Sequence, residues 1–257
     1  MKQRTWTALV LALAAGVLLC CFQLPMVPQI TAICLSCGSV WEILGAYGVK
    51  GKLPMGLCML YAVALPLLDI GQNQWVVLGM LVLGLAYFTY QMHAIGTPAK
   101  GWMPYVDIVF TVGLYRSVAA FGDMPKGAFL LCLTGMICAA TDIFAYLIGS
   151  RFGRHKLAPK VSPGKSVEGA LGGLIVTVLL ITLTVTPLVG APWLVAVYAA
   201  VCSLLGQWGD LSLSAVKRIA GVKDFGKIFP GHGGILDRCD SLIYSLSFTW
   251  LLYCFLK

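Results

Sequence analysis

The chain has 257 residues, of which 59% are hydrophobic and only 11% are charged, and its formal net charge is +8. Soluble domains average about 25% charged residues, so this composition excludes an ordinary soluble protein. Lys and Arg retained beside a membrane account for the basic excess, so it requires no nucleic-acid partner.

Apolar segments recur along the chain, and a segment of about 20 residues can cross a hydrocarbon core of about 30 Å as a helix. We predict an all-α polytopic membrane protein with about nine transmembrane helices. The predicted segments are residues 1–22, 28–47, 55–68, 75–92, 104–121, 127–149, 170–189, 192–219 and 236–255. The first resembles a signal peptide, but no small-residue cleavage pattern follows, so we interpret it as an uncleaved helix.

The basic residues predict the orientation of these segments. If the N-terminus is cytoplasmic and nine segments alternate, all the basic residues except Arg116, Lys126 and Lys257 lie on the cytoplasmic side. This bias is the positive-inside pattern of membrane proteins. It places the polar stretch 150–169 and the polar stretch 210–240 on the same face of the membrane.

The densest charge lies between Asp210 and Asp240, with apolar segments on both sides. Charge is costly in lipid, and its clustering usually marks a functional site. On a helix, Asp210, Ser214, Lys217 and Arg218 share one face. A snorkelling Lys–Arg pair with an ordinary salt bridge would explain the two cations, but Asp210 lies deeper in the segment.

A second acidic face begins the last segment, where Asp237 and Asp240 are three residues apart. Between the two helix ends lies the glycine-rich turn GHGGI at 231–235, and glycines allow the backbone to approach a ligand closely. Helix N-terminal acids and a plain turn are the ordinary explanations. The convergence of carboxylates, cations and a glycine turn at one membrane depth favours a functional site.

Carboxylates that face Lys and Arg predict a site for phosphate groups. Mg²⁺ commonly binds one or two carboxylates together with substrate phosphates, and Lys and Arg neutralise the remaining phosphate charge. Phosphoryl and nucleotidyl transfer depend on positioning and charge neutralisation more than on a protein nucleophile. The sequence Gly164–Ser166 is not a P-loop, because position 159 is proline instead of glycine.

The motifs SxVKR at 214–218 and KDxGxxFPxHGGIxDRxD at 223–240 resemble the signature of phosphatidate cytidylyltransferases, also called CDP-diacylglycerol synthases. Asp210-Leu211 and the upstream run from Asp142 to Gly173 resemble the same family. The resemblance covers about the C-terminal half of the chain. The first five segments resemble the family only in hydropathy and in Trp41-Glu42.

The resemblance implies that CTP and phosphatidic acid give CDP-diacylglycerol and pyrophosphate, with Mg²⁺ and a monovalent cation such as K⁺. It implies Asp210, Lys217 and Asp237 as catalytic residues. The first choice of metal ligands is Asp210 and Asp237, with Asp224, Asp240 and Asp142 as further candidates. The expected substrate-binding residues are Ser214, Arg218, Lys223, His232, Gly233, Gly234, Arg238, Arg154, Lys156 and Lys165. For the cations of the stretch 150–169, positive-inside topology alone is the alternative explanation.

The family resemblance also implies a homodimer, and we expect an active site that faces the cytoplasm at a bacterial inner membrane. We divide the chain into N-terminal helices one to five, residues 1–122, and helices six to nine with the catalytic site, residues 123–257. One alternative is another membrane lipid nucleotidyl- or phosphotransferase, such as a polyprenol kinase or an archaeal-lipid cytidylyltransferase. A transporter is the other, although its polar residues should be distributed through the membrane.

Overall fold

A computed structural model describes residues 10, 13–14, 16–22, 24, 26–68, 74–226, 228–229 and 233–257, and most of them are helical. The first predicted segment therefore lies largely outside the described residues. The helices are α1 (Val27–Ala46), α2 (Lys52–Leu67), α3 (Gln74–His93), α4 (Met103–Ala120), α5 (Gly127–Phe152), α6 (Val167–Val189), α7 (Pro192–Ile219), α8 (Leu236–Cys239) and α9 (Leu242–Leu256). Between α5 and α6, strands β1 (Lys156–Ala158) and β2 (Ser162–Ser166) pair antiparallel.

Within the described part of the chain, five helices are long and apolar enough to cross a membrane, namely α1, α3, α5, α6 and α7. Two further apolar helices, α2 and α9, are shorter, with 16 and 15 residues. Large apolar side chains such as Leu179 and Leu183 on α6 are exposed, as expected for a surface that faces lipid. The architecture is that of an all-α membrane protein with one small hairpin.

Proline sets the start of several helices. Pro28, Pro104 and Pro192 lie in the first turns of α1, α4 and α7, where the missing N–H costs no intrahelical bond and the fixed φ suits a helix. The predicted bounds of α7 agree with the structure. The last predicted segment differs, because Asp240 and Ser241 divide it into α8 and α9.

Glycine brings α5 and α6 into close contact. A Cβ atom at Gly169 would lie 2.6 Å from the carbonyl oxygen of Ala145, and one at Gly173 would lie 2.8 Å from that of Thr141. Small residues allow helix backbones to approach closely in membranes. The close pair fixes the hairpin β1–β2 at the end that α5 and α6 share.

A buried carboxylate ties the N-terminal helices together. Asp107 on α4 is fully buried and accepts hydrogen bonds from the Tyr47 hydroxyl (2.8 Å) and the Gln91 side-chain amide (2.7 Å). Burying such a group is costly unless hydrogen bonds compensate it. The contacts join α3, α4 and the end of α1.

Hydroxyl groups connect the C-terminal helices inside the bundle. Thr134 on α5, Tyr198 on α7 and Thr249 on α9 form a triangle, with oxygen–oxygen distances of 2.6, 2.9 and 3.1 Å. Hydrogen bonds between helices contribute to association in lipid, where burial of apolar groups contributes little.

Candidate active site

A cavity of about 360 Å³ lies where α5, the hairpin, α6 and α7 meet. Its polar lining includes Asp142 and Tyr146 from α5, Lys165 from β2, and Gln207 and Asp210 from α7. The fold thus brings together three residues that were predicted for the site, Asp142, Lys165 and Asp210. Tyr146 and Gln207 were not among the predicted site residues, although Gln207 lies one helical turn before Asp210.

Asp210 contacts a cation from the hairpin. The Lys165 ammonium donates to its Oδ2 atom, and the Ser214 hydroxyl donates to its Oδ1 atom at 3.3 Å. Ser214 follows at i+4 on α7, so the two side chains lie on one helix face. The side chains of Lys165 and Asp210 are 28% and 25% exposed, which leaves the pair accessible from the cavity.

Asp237 is held more tightly than Asp210. Its Oδ1 atom accepts from the Lys217 ammonium at 2.9 Å, and its Oδ2 atom accepts from the backbone N–H groups of Phe225 and Gly234, both at 2.9 Å. The side chains of Lys217 and Asp237 are only 10% and 4% exposed. At Gly233 the chain turns with a φ of 85°, a conformation that glycine adopts at little cost.

A buried acid from the N-terminal half supports the same turn. The Glu42 carboxylate on α1 accepts from the N–H groups of Ile235 (2.8 Å) and Leu236 (2.9 Å). These residues begin α8, where helical N–H groups lack intrahelical partners. Glu42 was not among the predicted site residues, although it is an acid inside an apolar segment and Trp41-Glu42 resembles the family.

Side chains at the ends of the hairpin fix its position. The Arg218 guanidinium donates to the carbonyl oxygens of Val161 (3.1 Å) and Val222 (3.3 Å), so it fastens the hairpin tip to α7. The Glu168 carboxylate accepts from the N–H of His155 at 3.1 Å and contacts its ring Nδ1 atom at 2.6 Å. These contacts place Lys165 over the cavity.

The remaining predicted residues differ in burial. Asp240 is half-buried in the turn between α8 and α9, and its carboxylate accepts the Ser241 N–H at 2.8 Å. Besides Asp142 and Arg218, the exposed members of the predicted set are Arg154, Lys156, Lys223, Asp224 and Arg238. His232 lies outside the described residues.

The carboxylates are of the type that binds a magnesium ion, but the two first-choice ligands belong to separate groups, since Asp210 lines the cavity and Asp237 is not among its lining residues. No group of three or more Asp, Glu, His or Cys side chains suited to a metal occurs in the described ranges. Mg²⁺ requires only one or two carboxylates, because waters and substrate phosphates complete its octahedral shell. Asp210 and Asp237 each contact one lysine, a counter-charge that a divalent cation could replace.

Comparisons with known proteins give the chain's relatives. Residues 2–256 match the cytidylyltransferase family. The chain is 32% identical to the phosphatidate cytidylyltransferase of Staphylococcus epidermidis over 256 residues, 96% of each chain. It is 38% identical to that of Brucella abortus over 189 residues, 72% of this chain and 68% of the relative. The uncharacterized protein YnbB of Escherichia coli is 43% identical over 169 residues, 63% of this chain and 55% of YnbB.

Proposed function

Because this chain belongs to the cytidylyltransferase family, we propose that it transfers the cytidylyl group of CTP to phosphatidic acid. The products are CDP-diacylglycerol and pyrophosphate. The match to the Staphylococcus epidermidis phosphatidate cytidylyltransferase along nearly the whole of both chains carries this proposal. The helices of membrane-spanning length suit an enzyme whose acceptor is a lipid.

In the proposed reaction, a phosphate oxygen of the lipid attacks the α-phosphorus of CTP. The new P–O bond forms as the bond between the α-phosphorus and the bridging oxygen breaks, and pyrophosphate leaves with that electron pair. A phosphate monoester has a second pKa of about 6, so the attacking oxygen is already anionic near neutral pH. No protein base is needed, and His232 is proposed as a substrate contact.

Lys165 and Lys217 neutralise substrate charge in this proposal. Each contacts an aspartate, and each ammonium could instead contact phosphate oxygens. Lys165 approaches from the hairpin, whereas Lys217 approaches from the buried side near Asp237. Ser214 and the backbone at Gly233 and Gly234 would contact substrate. The exposed cations Arg154, Lys156, Lys223 and Arg238 would attract CTP. Arg218 would bind substrate phosphate as well as contact the hairpin.

Asp210 and Asp237 would hold Mg²⁺, with Asp142, Asp240 and Asp224 as further ligands. When bound, the ion would neutralise charge on the CTP phosphates and polarise the phosphoryl group under attack. A monovalent cation such as K⁺ belongs to the same proposal. Lys217 donates to Oδ1 of Asp237 and would contact substrate phosphate in its place.

We also propose nine crossings with a cytoplasmic N-terminus in a bacterial inner membrane, a cytoplasmic active site, and a homodimer. The bias of basic residues supports the orientation. In this arrangement the hairpin, the end of α7 and the turn before α8 meet on the cytoplasmic side. Residues 123–257 carry most of the site, while Glu42 from residues 1–122 contacts it.

The test is conversion of radiolabelled CTP into a lipid-extractable product by purified protein in detergent with phosphatidic acid and Mg²⁺. We expect label to enter lipid only when phosphatidic acid is present. Asp210→Asn and Asp237→Asn should abolish incorporation, and Asp123→Asn, an exposed acid in the short turn after α4, is the matched control.

Three results would overturn parts of this proposal. Absence of incorporation by folded wild-type protein would refute the reaction. Transfer from ATP, or to a different lipid phosphate only, would favour a kinase or another lipid cytidylyltransferase. Full activity of Asp210→Asn or Asp237→Asn would assign the metal to other carboxylates.

A further inference from the structure

The carboxylate of Glu42 joins two distant parts of the chain. It is 2% exposed, and its two oxygens each accept one backbone N–H, those of Ile235 and Leu236. The acceptor and donors are 193 and 194 residues apart in sequence. Helix α1 therefore supplies the cap for the first N–H groups of α8, the helix that carries Asp237.

Two glycines in the connection between α7 and α8, Gly226 and Gly234, lie directly against this carboxylate. A Cβ atom at Gly226 would lie 2.5 Å from Glu42 Oε1, and one at Gly234 would lie closer still. Gly38, one turn before Glu42, packs against Ile235 with similar closeness. The connection has two arms, residues 220–226 after α7 and residues 233–235 before α8. The Glu42 side chain fills a space between these arms that only glycine leaves open.

Asp237 provides the complementary half of this arrangement. It accepts the N–H groups of Phe225 and Gly234, one from each arm of the connection. Together, Glu42 and Asp237 accept four backbone N–H groups of the connection and the start of α8. Among the described residues, Asp237 has Lys217 as its ion-pair partner, whereas Glu42 accepts only N–H groups there.

We propose that Glu42 is a positioning residue of the active site, which holds the glycine turn and Asp237 in place without contacting substrate. This inference rests on the proposed function. It makes α1 part of the catalytic unit, because a shift of this carboxylate moves both arms of the connection. An amide at position 42 retains the size but presents an NH₂ group to an N–H donor, so one of the two hydrogen bonds is lost.

The first test compares Glu42→Gln with Ser36→Ala on the same helix, since Ser36 has a buried hydroxyl without a hydrogen-bond partner in the described regions. Two quantities are measured, the rate of trypsin cleavage after the exposed Lys223, and kcat and KM for CTP. We expect faster cleavage in Glu42→Gln and a kcat lower by about 10- to 100-fold. Ser36→Ala should match the wild type in both.

A second test changes the same contact from the opposite side. The methyl group in Gly226→Ala should displace Glu42 and lower kcat in an otherwise wild-type protein. In a Glu42→Ala background the obstructing atoms are gone, so adding Gly226→Ala should cause no further loss. If Gly226→Ala lowered kcat independently of Glu42, the two losses of kcat would instead multiply. If Glu42→Gln fails to fold, Gly226→Ala alone decides, because it leaves every charged group present. A lower kcat with faster cleavage after Lys223 would then support the proposal, and wild-type values of both would overturn it.

Wild-type kcat and an unchanged Lys223 cleavage rate in Glu42→Gln would overturn the proposal, as would multiplying losses in the double variant. The cleavage measurement requires no enzymatic activity. If folded wild-type protein transfers no cytidylyl group while Glu42→Gln still exposes Lys223, the reaction is wrong and the positioning contact stands.

Discussion

Lys217 and Asp237 form the most buried ion pair among the described residues, with side chains 10% and 4% exposed and a distance of 2.9 Å. Removing one partner of a buried pair costs about 3–5 kcal/mol, because the other charge stays buried without compensation. In Lys217→Met, Asp237 keeps the N–H groups of Phe225 and Gly234. We therefore expect the lower end of that range, about 3 kcal/mol.

The double variant Lys217→Met/Asp237→Asn separates the charge effect from packing. It removes both charges, and the asparagine oxygen can still accept a backbone N–H. Its free energy of unfolding should fall by less than the sum for the two single variants, with a coupling of about 2–3 kcal/mol.

The assay is thermal unfolding in detergent, followed by tryptophan fluorescence. At about 2–4 °C per kcal/mol, Lys217→Met should lower the apparent Tm by about 6–12 °C. Lys223→Met, at an exposed lysine of the same connection, should leave Tm unchanged. If the effects of the single variants add within about 0.5 kcal/mol, the two charges do not interact and the reasoning is refuted.

Three further predictions concern the hairpin and the bundle. Lys165→Met should lower kcat/KM for CTP by about 10- to 100-fold, since charge-assisted hydrogen bonds contribute about 1.5–3 kcal/mol; an equal loss in the exposed Lys160→Met would contradict this. Arg218→Met should accelerate trypsin cleavage after Lys160, because the hairpin tip loses its attachment to α7; an unchanged rate would exclude that role. Thr249→Val should lower the free energy of unfolding by about 0.6–1.7 kcal/mol with kcat unchanged, and a large loss of kcat would connect the hydroxyl triangle to catalysis.

Helix positions were predictable because their signals are local. Apolar runs of sufficient length, with proline in the first turn, predicted α7 with the same bounds as the structure. The break between α8 and α9 was not predicted, because Asp240 and Ser241 interrupt the apolar pattern without glycine or proline. The hairpin was also not predicted, since its strands of 3 and 5 residues are too short for a periodic pattern.

Charge density indicated the stretch 210–240, and the family resemblance added Asp142 and Lys165. Asp142, Lys165 and Asp210 were chosen from the sequence, and they line one cavity. The partners of individual side chains were not predictable, because they depend on packing between distant segments. The contact of Arg218 with the Val161 carbonyl group was not predicted, and Glu42 meets its partners 193 residues away.

The position of Asp142 has a consequence for the membrane around the protein. Its exposed side chain lies ten residues before the end of α5 that carries the hairpin, which is about 15 Å along the helix axis. With 26 residues, α5 is about 39 Å long and exceeds a hydrocarbon core of about 30 Å, so a centred crossing puts Asp142 about 10 Å inside it, where a carboxylate needs water. We therefore expect water to reach this level beside α5, next to Tyr146, which is 74% exposed. A lipid phosphate could follow the same hydrated path and reach Asp142 while its acyl chains stay in the leaflet.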